Sequence, residues 1–271
     1  MNKLKNYLRN SEVNIIKKFA LITGASSGIG YEISKIFAKN NHNLILVGRN
    51  YEALKKLKSE INDNIKVEIL QINLSNIDEL YKLYDYIKNK NYFIDILVNN
   101  AGLGYNGYFD DIKVEKNVEI IDVNIKALTI LTNLLVKDMK KNRCGKILNV
   151  ASTGAYQPGP MISVYYASKA YVLSLTYALR EELKIYGITV SALSPGTTKT
   201  NFSKRAGKGD LNIAMSAEKV AKIAYYGLEK GKANIIPGSM NKLLVFMSKI
   251  SPNLINSKIV NHIQKKAINK K

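Results

Sequence analysis

Short apolar runs alternate with helical patterns along most of this chain, and that alternation limits the available folds more than any other feature. The apolar runs include "KFALITG", "NLILVGR", "IDILVNNAG", "GKILNVAS" and "GITVSALSPG". Helical spacing separates them, over about 114–141 and 217–230 among other segments. Strands that are apolar throughout are buried on both faces, so helices must cover a parallel sheet on each side. We therefore predict an α/β fold built on a doubly wound, seven-stranded parallel sheet.

The chain length fits one large α/β domain or two small ones, since 46% of the 271 residues are hydrophobic. The ends are polar and no long low-complexity segment interrupts the chain, which favours a single domain. We expect this domain over 19–239. A basic extension at 1–18 precedes it, and a basic amphipathic extension at 240–271 follows it.

The formal net charge of +20 raises the question of an anionic partner. Nearly all the basic residues are lysines, and they are dispersed rather than clustered. Asn, Ile and Tyr, which share A/T-rich codons with lysine, are also abundant. Base composition therefore explains much of the excess charge, and we expect no nucleic-acid partner.

Composition also bears on location and on metals. Cys144 is the only cysteine, so no intrachain disulfide can form. The N-terminus lacks the apolar core of a signal peptide, and no apolar run approaches the roughly 18 residues that span a bilayer. We expect a cytoplasmic protein. Neither His42 nor His262 has neighbours spaced as metal ligands, so we expect no metal site.

A glycine-rich loop, "TGASSGIG", joins the first predicted strand to the first predicted helix. Gly24, Gly28 and Gly30 permit a tight turn and a close backbone approach to a pyrophosphate at the helix N-terminus. This strand–loop–helix context favours a dinucleotide site over a simple turn and makes the expected sheet Rossmann-type.

The end of the second predicted strand, "VGRN", bears on the choice of dinucleotide. Folds that prefer NAD usually have an acidic residue about 20 residues beyond the glycines, where it binds the ribose 2′-hydroxyl. Here Gly48, Arg49 and Asn50 hold that place. A guanidinium suits a 2′-phosphate, so Arg49 favours NADP(H) over NAD(H).

The segment "SVYYASKAYVLSL" places Tyr165 four residues before Lys169. On a helix these two positions share a face, and Tyr166 points elsewhere. A phenol with a pKa of about 10 is a poor acid or base at neutral pH, and a nearby ammonium favours its charged form. Alone, the pattern is far more typical of an ordinary amphipathic helix.

Together these features resemble the short-chain dehydrogenase/reductase family. The resemblance rests on the following motifs in this order: the glycine loop, "NNAG" at 99–102, Asn124, Ser152, Tyr165, Lys169 and "PGTTKT" at 195–200. It covers about 19–200 strongly and extends more loosely to about 240. The separation of Ser152 and Tyr165 along the chain also fits the family.

The resemblance implies a catalytic set of four residues, Asn124, Ser152, Tyr165 and Lys169. Tyr165 would be the catalytic acid/base, and Ser152 would hydrogen-bond to the substrate carbonyl oxygen. Lys169 would bind the nicotinamide ribose and lower the pKa of Tyr165. Asn124 would hold a water that links Lys169 to solvent.

The resemblance also implies a set of cofactor-binding residues: Gly24, Ser26, Ser27, Gly28, Ile29, Gly30, Arg49, Asn73, Asn100, Ala101, Gly102, Tyr165, Lys169, Pro195, Gly196, Thr198 and Thr200. Asn73 stands where the family usually has an aspartate that faces the adenine amino group. Its amide oxygen can accept the same hydrogen bond without a charge.

The implied function is an NADP(H)-dependent oxidoreductase that interconverts a ketone or aldehyde and an alcohol. The family is usually oligomeric, so a homodimer or homotetramer is expected. Two alternatives stay open. The same fold supports non-redox chemistry such as dehydration or epimerisation. A cofactor-binding regulatory or membrane-surface protein with little turnover would also account for the charge.

Three segments are expected to wall the substrate pocket, at 103–108, 154–161 and about 197–215. Four of their residues suggest a partly apolar pocket: Tyr105, Tyr108, Tyr156 and Met161. The third segment contains Lys199, Lys204, Arg205 and Lys208, which suit either an anionic substrate or a solvated lid.

The C-terminal extension is expected to form an amphipathic helix. Ser251 and Pro252 resemble an N-cap followed by a first-turn proline. Ile255, Ile259 and Ile263 repeat every four residues and are expected to form its docking face. That face can pack on its own domain, on a second subunit or on an anionic membrane.

Overall fold

The computed structural model describes residues 17–61, 64–200, 202 and 214–268. Seven parallel strands form one sheet: β1 (Lys17–Thr23), β2 (Asn43–Gly48), β3 (Val67–Gln71), β4 (Tyr92–Asn99), β5 (Gly145–Val150), β6 (Ile188–Leu193) and β9 (Asn234–Ile235). The two remaining strands, β7 (Thr198–Lys199) and β8 (Met215–Ser216), pair in parallel with each other. The predicted seven-stranded sheet is confirmed.

The strand order in the sheet is β3-β2-β1-β4-β5-β6-β9. The chain runs outward from β1 to β3, returns to the other side of β1 as β4, and then runs outward again. Strand β1 therefore pairs with β2 on one edge and with β4 on the other. A doubly wound sheet has a crevice at such a switch point, outside the carboxyl ends of the strands, and ligands bind there.

Nine α-helices are described: α1 (Gly28–Lys39), α2 (Tyr51–Ser59), α3 (Ile77–Asn89), α4 (Val114–Ile121), α5 (Leu128–Asn142), α6 (Ser163–Lys184), α7 (Ala217–Glu229), α8 (Ser239–Ile250) and α9 (Asn253–Ile268). A π-helical turn at Asp122–Ala127 joins α4 to α5, and a short 3-10 turn at Thr153–Tyr156 follows β5. The long helical region expected near 114–141 is thus helical, with a widened turn in its middle.

The hydrophobic core lies on both faces of the sheet. Along β1, Ala20 and Ile22 belong to one buried cluster, and Phe19 and Leu21 belong to the other. Helices α1, α2 and α7 contribute to the first cluster, and α3, α5 and α6 contribute to the second. This two-sided burial explains why the central strands are continuously apolar in sequence.

Helix α9 forms where the sequence predicts it, directly after Pro252, and its isoleucine stripe does not pack on its own domain. Ile255, Ile259 and Ile263 are 50%, 53% and 56% exposed, whereas Asn256, Val260 and Gln264 are buried. Asn256 is retained inside because its amide donates to the carbonyls of Ser248 and Ser251 at 2.9 and 3.1 Å. A buried amide with partners thus outweighed the apolar stripe in setting the rotation of the helix.

Among the described residues, none of the helices combines the length and apolarity that crossing a lipid bilayer demands. The basic N-terminal extension expected at 1–18 lies outside the described residues up to position 16, and β1 begins at Lys17.

Candidate active site

The glycine loop lies between β1 and α1 at the switch point of the sheet. Gly24 and Gly28 have positive φ angles of 67° and 62°, a conformation that side chains with a Cβ rarely adopt. At Gly30, an added Cβ would collide with the Asn100 amide and the Gly24 carbonyl. All three glycines are therefore required by the backbone itself.

Asn100 fixes this loop against the end of β4. Its side-chain amide donates to the carbonyls of Thr23 and Gly24 at 3.0 and 3.2 Å. The Thr23 hydroxyl in turn accepts from the backbone N–H groups of Asn100 and Ala101 at 3.0 and 3.1 Å. Asn100 thus joins the two strand ends that border the crevice.

The N-terminus of α1 suits a phosphate. Its N-cap residue, Ser27, makes no side-chain capping hydrogen bond, and the first turn contains no acidic residue. Backbone N–H groups at such a helix end, together with the helix dipole, favour a negatively charged ligand. The residues present therefore fit a dinucleotide pyrophosphate.

The segment that contains Thr198 and Thr200 closes over this loop. An added Cβ at Gly28 would lie 3.0 Å from Cγ2 of Thr200. The Thr198 hydroxyl donates to the Gly196 carbonyl at 3.0 Å, and Pro195 accepts from the Thr153 N–H at 3.0 Å. The fold thus brings 195–200 together with both the glycine loop and the turn after β5.

Arg49 follows β2 and is held by two neighbours. Its backbone carbonyl accepts from the Gln71 side chain at 3.0 Å, and its guanidinium pairs with Glu119 of α4 at 3.0 Å. The second oxygen of Glu119 accepts from the Tyr105 hydroxyl at 2.7 Å. Arg49 lies at the expected edge of the crevice, and the Glu119 carboxylate partly offsets its positive charge.

Asn73 lies after β3 and shapes its own turn. Its side-chain oxygen accepts from the Ser75 N–H at 3.2 Å, and its backbone N–H donates to Glu79 at 2.6 Å. One lone pair of that side-chain oxygen remains for a further donor.

Tyr165 and Lys169 share one face of α6, as the i, i+4 spacing predicts. The Lys169 ammonium lies 5.8 Å from the centre of the Tyr165 ring and donates to the Val150 carbonyl at 2.7 Å. Lys169 is only 4% exposed. Burial lowers its pKa from 10.5 to about 8, because the charged form loses its hydration.

The environment of Tyr165 in the protein alone raises its pKa. Burial raises the pKa of Tyr165 from 10.0 to about 12, and a hydrogen bond with Ser152 acts the other way. Desolvation of the phenolate dominates in the protein alone, so the expected lowering of this pKa by Lys169 together with the oxidised cofactor stays a prediction. Tyr165 is therefore protonated at neutral pH.

Tyr166 meets the Tyr165 ring edge to face, with the ring centroids 6.0 Å apart. It packs on the 3-10 turn, where an added Cβ at Gly154 would lie 2.8 Å from its ring. Burial raises the pKa of Tyr166, and a hydrogen bond with Gln264 of α9 opposes that shift.

Asn124 lies in the π-helical turn, and both protons of its side-chain amide form hydrogen bonds. They go to the Leu103 carbonyl and the Ser168 hydroxyl, each at 2.9 Å, and its oxygen accepts from the Leu103 N–H at 2.8 Å. Ser168 donates to the carbonyl of Tyr165 at 2.7 Å. The side chain of Asn124 therefore fixes α6 and the loop after β4. Any water it holds must use the remaining lone pair of that oxygen or a backbone group.

The expected pocket walls are partly assembled around Tyr165. The rings of Tyr165 and Phe202 lie 5.2 Å apart, and Gly104 leaves no room for a side chain beside them. The Tyr156 hydroxyl is bonded to Ser194 and Asn234, so its polar end is turned into the fold. Lys204, Arg205 and Lys208, expected in the third wall, lie outside the described residues.

Comparison with known proteins identifies the family. The sequence pattern described as short chain dehydrogenase matches residues 18–210, which is well over half of the chain. The chain belongs to the short-chain dehydrogenase family. It is thus an oxidoreductase of the kind that works with NAD(P), and its single-domain Rossmann fold matches that of solved family members.

Three relatives illustrate the similarity. The 3-oxoacyl-(acyl-carrier-protein) reductase FabG of Rickettsia felis is 35% identical over 226 residues, 83% of this chain and 89% of that protein. A short-chain dehydrogenase from Sphingobium yanoikuyae in complex with NADPH is 32% identical, with a TM-score of 0.77, covering 86% of this chain and 96% of that one. The 3-ketoacyl-(acyl-carrier-protein) reductase from Brucella melitensis complexed with NADH is 29% identical, with a TM-score of 0.73, covering 82% and 98%.

Two residues of this short-chain dehydrogenase were missed by sequence reasoning. Glu119 pairs with Arg49 across 70 positions of sequence, and no local pattern signals such a contact. Ser168 links Asn124 to the Tyr165 backbone. Its position directly before Lys169 was the one feature of the sequence that could have indicated this role.

Proposed function

We propose that this protein is an NADP(H)-dependent oxidoreductase that interconverts a ketone or aldehyde and the corresponding alcohol, with Tyr165 as proton donor and acceptor. The observation that carries the proposal is the arrangement of Ser152 and Tyr165, both half-buried, and of the buried Lys169 beside a glycine loop that fits a dinucleotide. The hydroxyl group of Ser152 is near enough to that of Tyr165 to act on its pKa. A carbonyl oxygen placed between them would accept from both.

In the reduction direction, negative charge builds on the carbonyl oxygen. Ser152 and Tyr165 donate hydrogen bonds to that oxygen, and Tyr165 delivers the proton. The raised pKa of Tyr165 keeps this proton in place at neutral pH. The bound nicotinamide cofactor supplies the hydride, and the protein supplies position and electrostatics.

The roles of Asn124 and Lys169 are to hold this arrangement. Lys169 presents a buried ammonium close to Tyr165 for the nicotinamide ribose, and Asn124 fixes the backbone at both sides through Leu103 and Ser168. The carbonyl of Val150 orients the lysine.

The proposed preference for NADP(H) rests on Arg49. No acidic residue stands at the end of β2, and a guanidinium there offers several donors to a 2′-phosphate. The solved relatives include one complex with NADPH and one with NADH, so the family alone does not decide the preference. Glu119 opposes it by competing for the same guanidinium.

The substrate class can be tested with purified protein, NADPH and a panel of aldehydes and ketones. We expect loss of NADPH absorbance with at least one carbonyl compound, and little loss with the Ser152→Ala variant. Turnover of a compound that has no reducible carbonyl, with no consumption of NADPH, would instead indicate non-redox chemistry on the same fold. Assembly as a homodimer or homotetramer stays a prediction for size-exclusion chromatography with light scattering.

A further inference from the structure

The two C-terminal helices present an unusual amount of apolar surface to solvent. The apolar residues at least half exposed on α8 are Met240, Leu243, Leu244, Phe246, Met247 and Ile250. On α9 they are Leu254, Ile255, Ile259 and Ile263. We call these ten residues the C-terminal apolar face. Single exposed apolar residues are ordinary, but ten on two consecutive helices indicate a binding surface.

The apolar face lies away from the side by which both helices are attached: it is opposite that side on α8 and about a quarter-turn from it on α9. On α8, Val245 is buried and the Ser248 hydroxyl donates to the side chain of Gln157 at 2.9 Å. On α9, Asn256, Val260 and Gln264 are buried. The helices are therefore held by an inner face, and their outer residues do not turn inward.

The charge of the same helices indicates what covers this face. Between positions 239 and 268 there is no Asp or Glu, and the basic residues are Lys242, Lys249, Lys258, Lys265 and Lys266. Apolar residues flanked by lysines without acidic neighbours are typical of helices that lie in the plane of an anionic bilayer. A second copy of the chain would instead bring two positively charged faces together.

We propose that α8 and α9 dock the protein on an anionic lipid bilayer. The apolar face enters the boundary between headgroups and acyl chains, and the lysines of α9 pair with the anionic headgroups. This mode needs no spanning helix, since each helix lies along the surface.

The attached side of the same helices borders the substrate region. Gln264 accepts from Asn106 at 3.4 Å, within the expected pocket wall at 103–108, and also bonds to Tyr166. Docking would therefore hold the mouth of the candidate site close to the lipid. The docking proposal itself is independent of the proposed reaction, because its test needs no turnover.

The test is flotation of the full chain with vesicles of phosphatidylcholine alone and with vesicles that also contain phosphatidylglycerol. We expect flotation with the anionic vesicles and little with the neutral ones. The double variant Phe246→Ser/Ile259→Ser should bind at least about tenfold more weakly, since each change removes one inserted apolar side chain. Lys258→Gln should weaken binding about fivefold, because each lysine near an anionic surface contributes roughly that factor.

The matched control is Val114→Ser/Ile185→Ser, which removes two apolar side chains that are exposed elsewhere in the fold. It should float like the parent, and circular dichroism should show all variants folded. Flotation of Phe246→Ser/Ile259→Ser at the parental level would overturn the proposal. So would a parent that does not bind anionic vesicles, including one that elutes as a dimer and becomes monomeric in the double variant. That last result would assign the face to a second copy.

Discussion

A cationic side chain lies on each side of the crevice, one buried and the other exposed to solvent. Lys169 is 4% exposed and bonds to the neutral carbonyl of Val150, whereas the side chain of Arg49 is 52% exposed and pairs with Glu119. Burial lowers the pKa of Lys169 to about 8. A buried ammonium acts strongly on its neighbours because little solvent screens it, while an exposed ion pair contributes modestly.

The Lys169 side and the Arg49 side of the crevice would therefore have different roles. The Lys169 side would determine whether reaction occurs, and the Arg49 side would determine which dinucleotide is used. Substitutions on the buried side should therefore change turnover by large factors, and substitutions on the exposed side should change cofactor choice by smaller ones.

The largest effect is expected from Tyr165→Phe. Loss of a positioned proton donor costs about 10²- to 10⁴-fold in kcat, while NADPH binding should persist. Tyr166→Phe is the matched control and should change kcat little, because its hydroxyl points to Gln264. Steady-state assays of both variants, with NADPH affinity measured by fluorescence, compare them. Equal activities for the two variants, or a dead Tyr166→Phe, would refute the assignment.

Arg49→Ala should come next. A charge-assisted contact to a phosphate contributes about 1.5–3 kcal/mol, and the exposure of Arg49 places the loss near the lower end, about tenfold. The measurement is kcat/KM for NADPH and NADH at fixed ionic strength. The variant should lose most of its NADPH advantage with little change for NADH. A parent that prefers NADH would remove the role given to Arg49.

The pKa of Lys169 predicts how NADPH affinity depends on pH. The ammonium predominates below pH 8 and is lost above it, since its pKa is about 8 rather than 10.5. Affinity should be constant on the acid side and fall as the pH rises through about 8, by up to roughly tenfold for one charged hydrogen-bonding group. In Lys169→Met this pH dependence should disappear. Identical pH profiles for parent and variant would assign the titration to another group.

The smallest effect is expected from Glu119→Gln. This change releases Arg49 from its ion pair while keeping an acceptor for Tyr105. Exposed pairs contribute about 0.2–1 kcal/mol, so the KM for NADPH should fall by a factor of about 1.4 to 5. NADH kinetics provide the internal control. A rise in KM for NADPH would mean that Glu119 positions Arg49 for the phosphate rather than competing with it.

The parts of the fold set by local pattern were predictable from sequence. Continuously apolar strands between helices indicated the parallel sheet, and the i, i+4 spacing placed Tyr165 and Lys169 on one face of α6. Gly24 and Gly28 were recognisable from the glycine-rich loop, and both have positive φ angles that most side chains exclude.

The parts set by tertiary packing were not predictable. The direction of the Tyr165 pKa shift depends on how deeply the ring is buried, and spacing does not report burial. The Arg49–Glu119 pair joins residues that are distant in sequence. On α9 the isoleucine repeat identified an apolar stripe, but the bonds of Asn256 decided which face turned inward.

The proposed function depends on hydride transfer between a nicotinamide and a carbonyl carbon. The most direct measurement uses NADPH deuterated at the transferred position and a ketone identified from the panel, with mass spectrometry of the product. We expect an alcohol that gains one deuterium in the parent and almost none in Tyr165→Phe within the same time. An unlabelled product, or a product formed without oxidation of the cofactor, would contradict it.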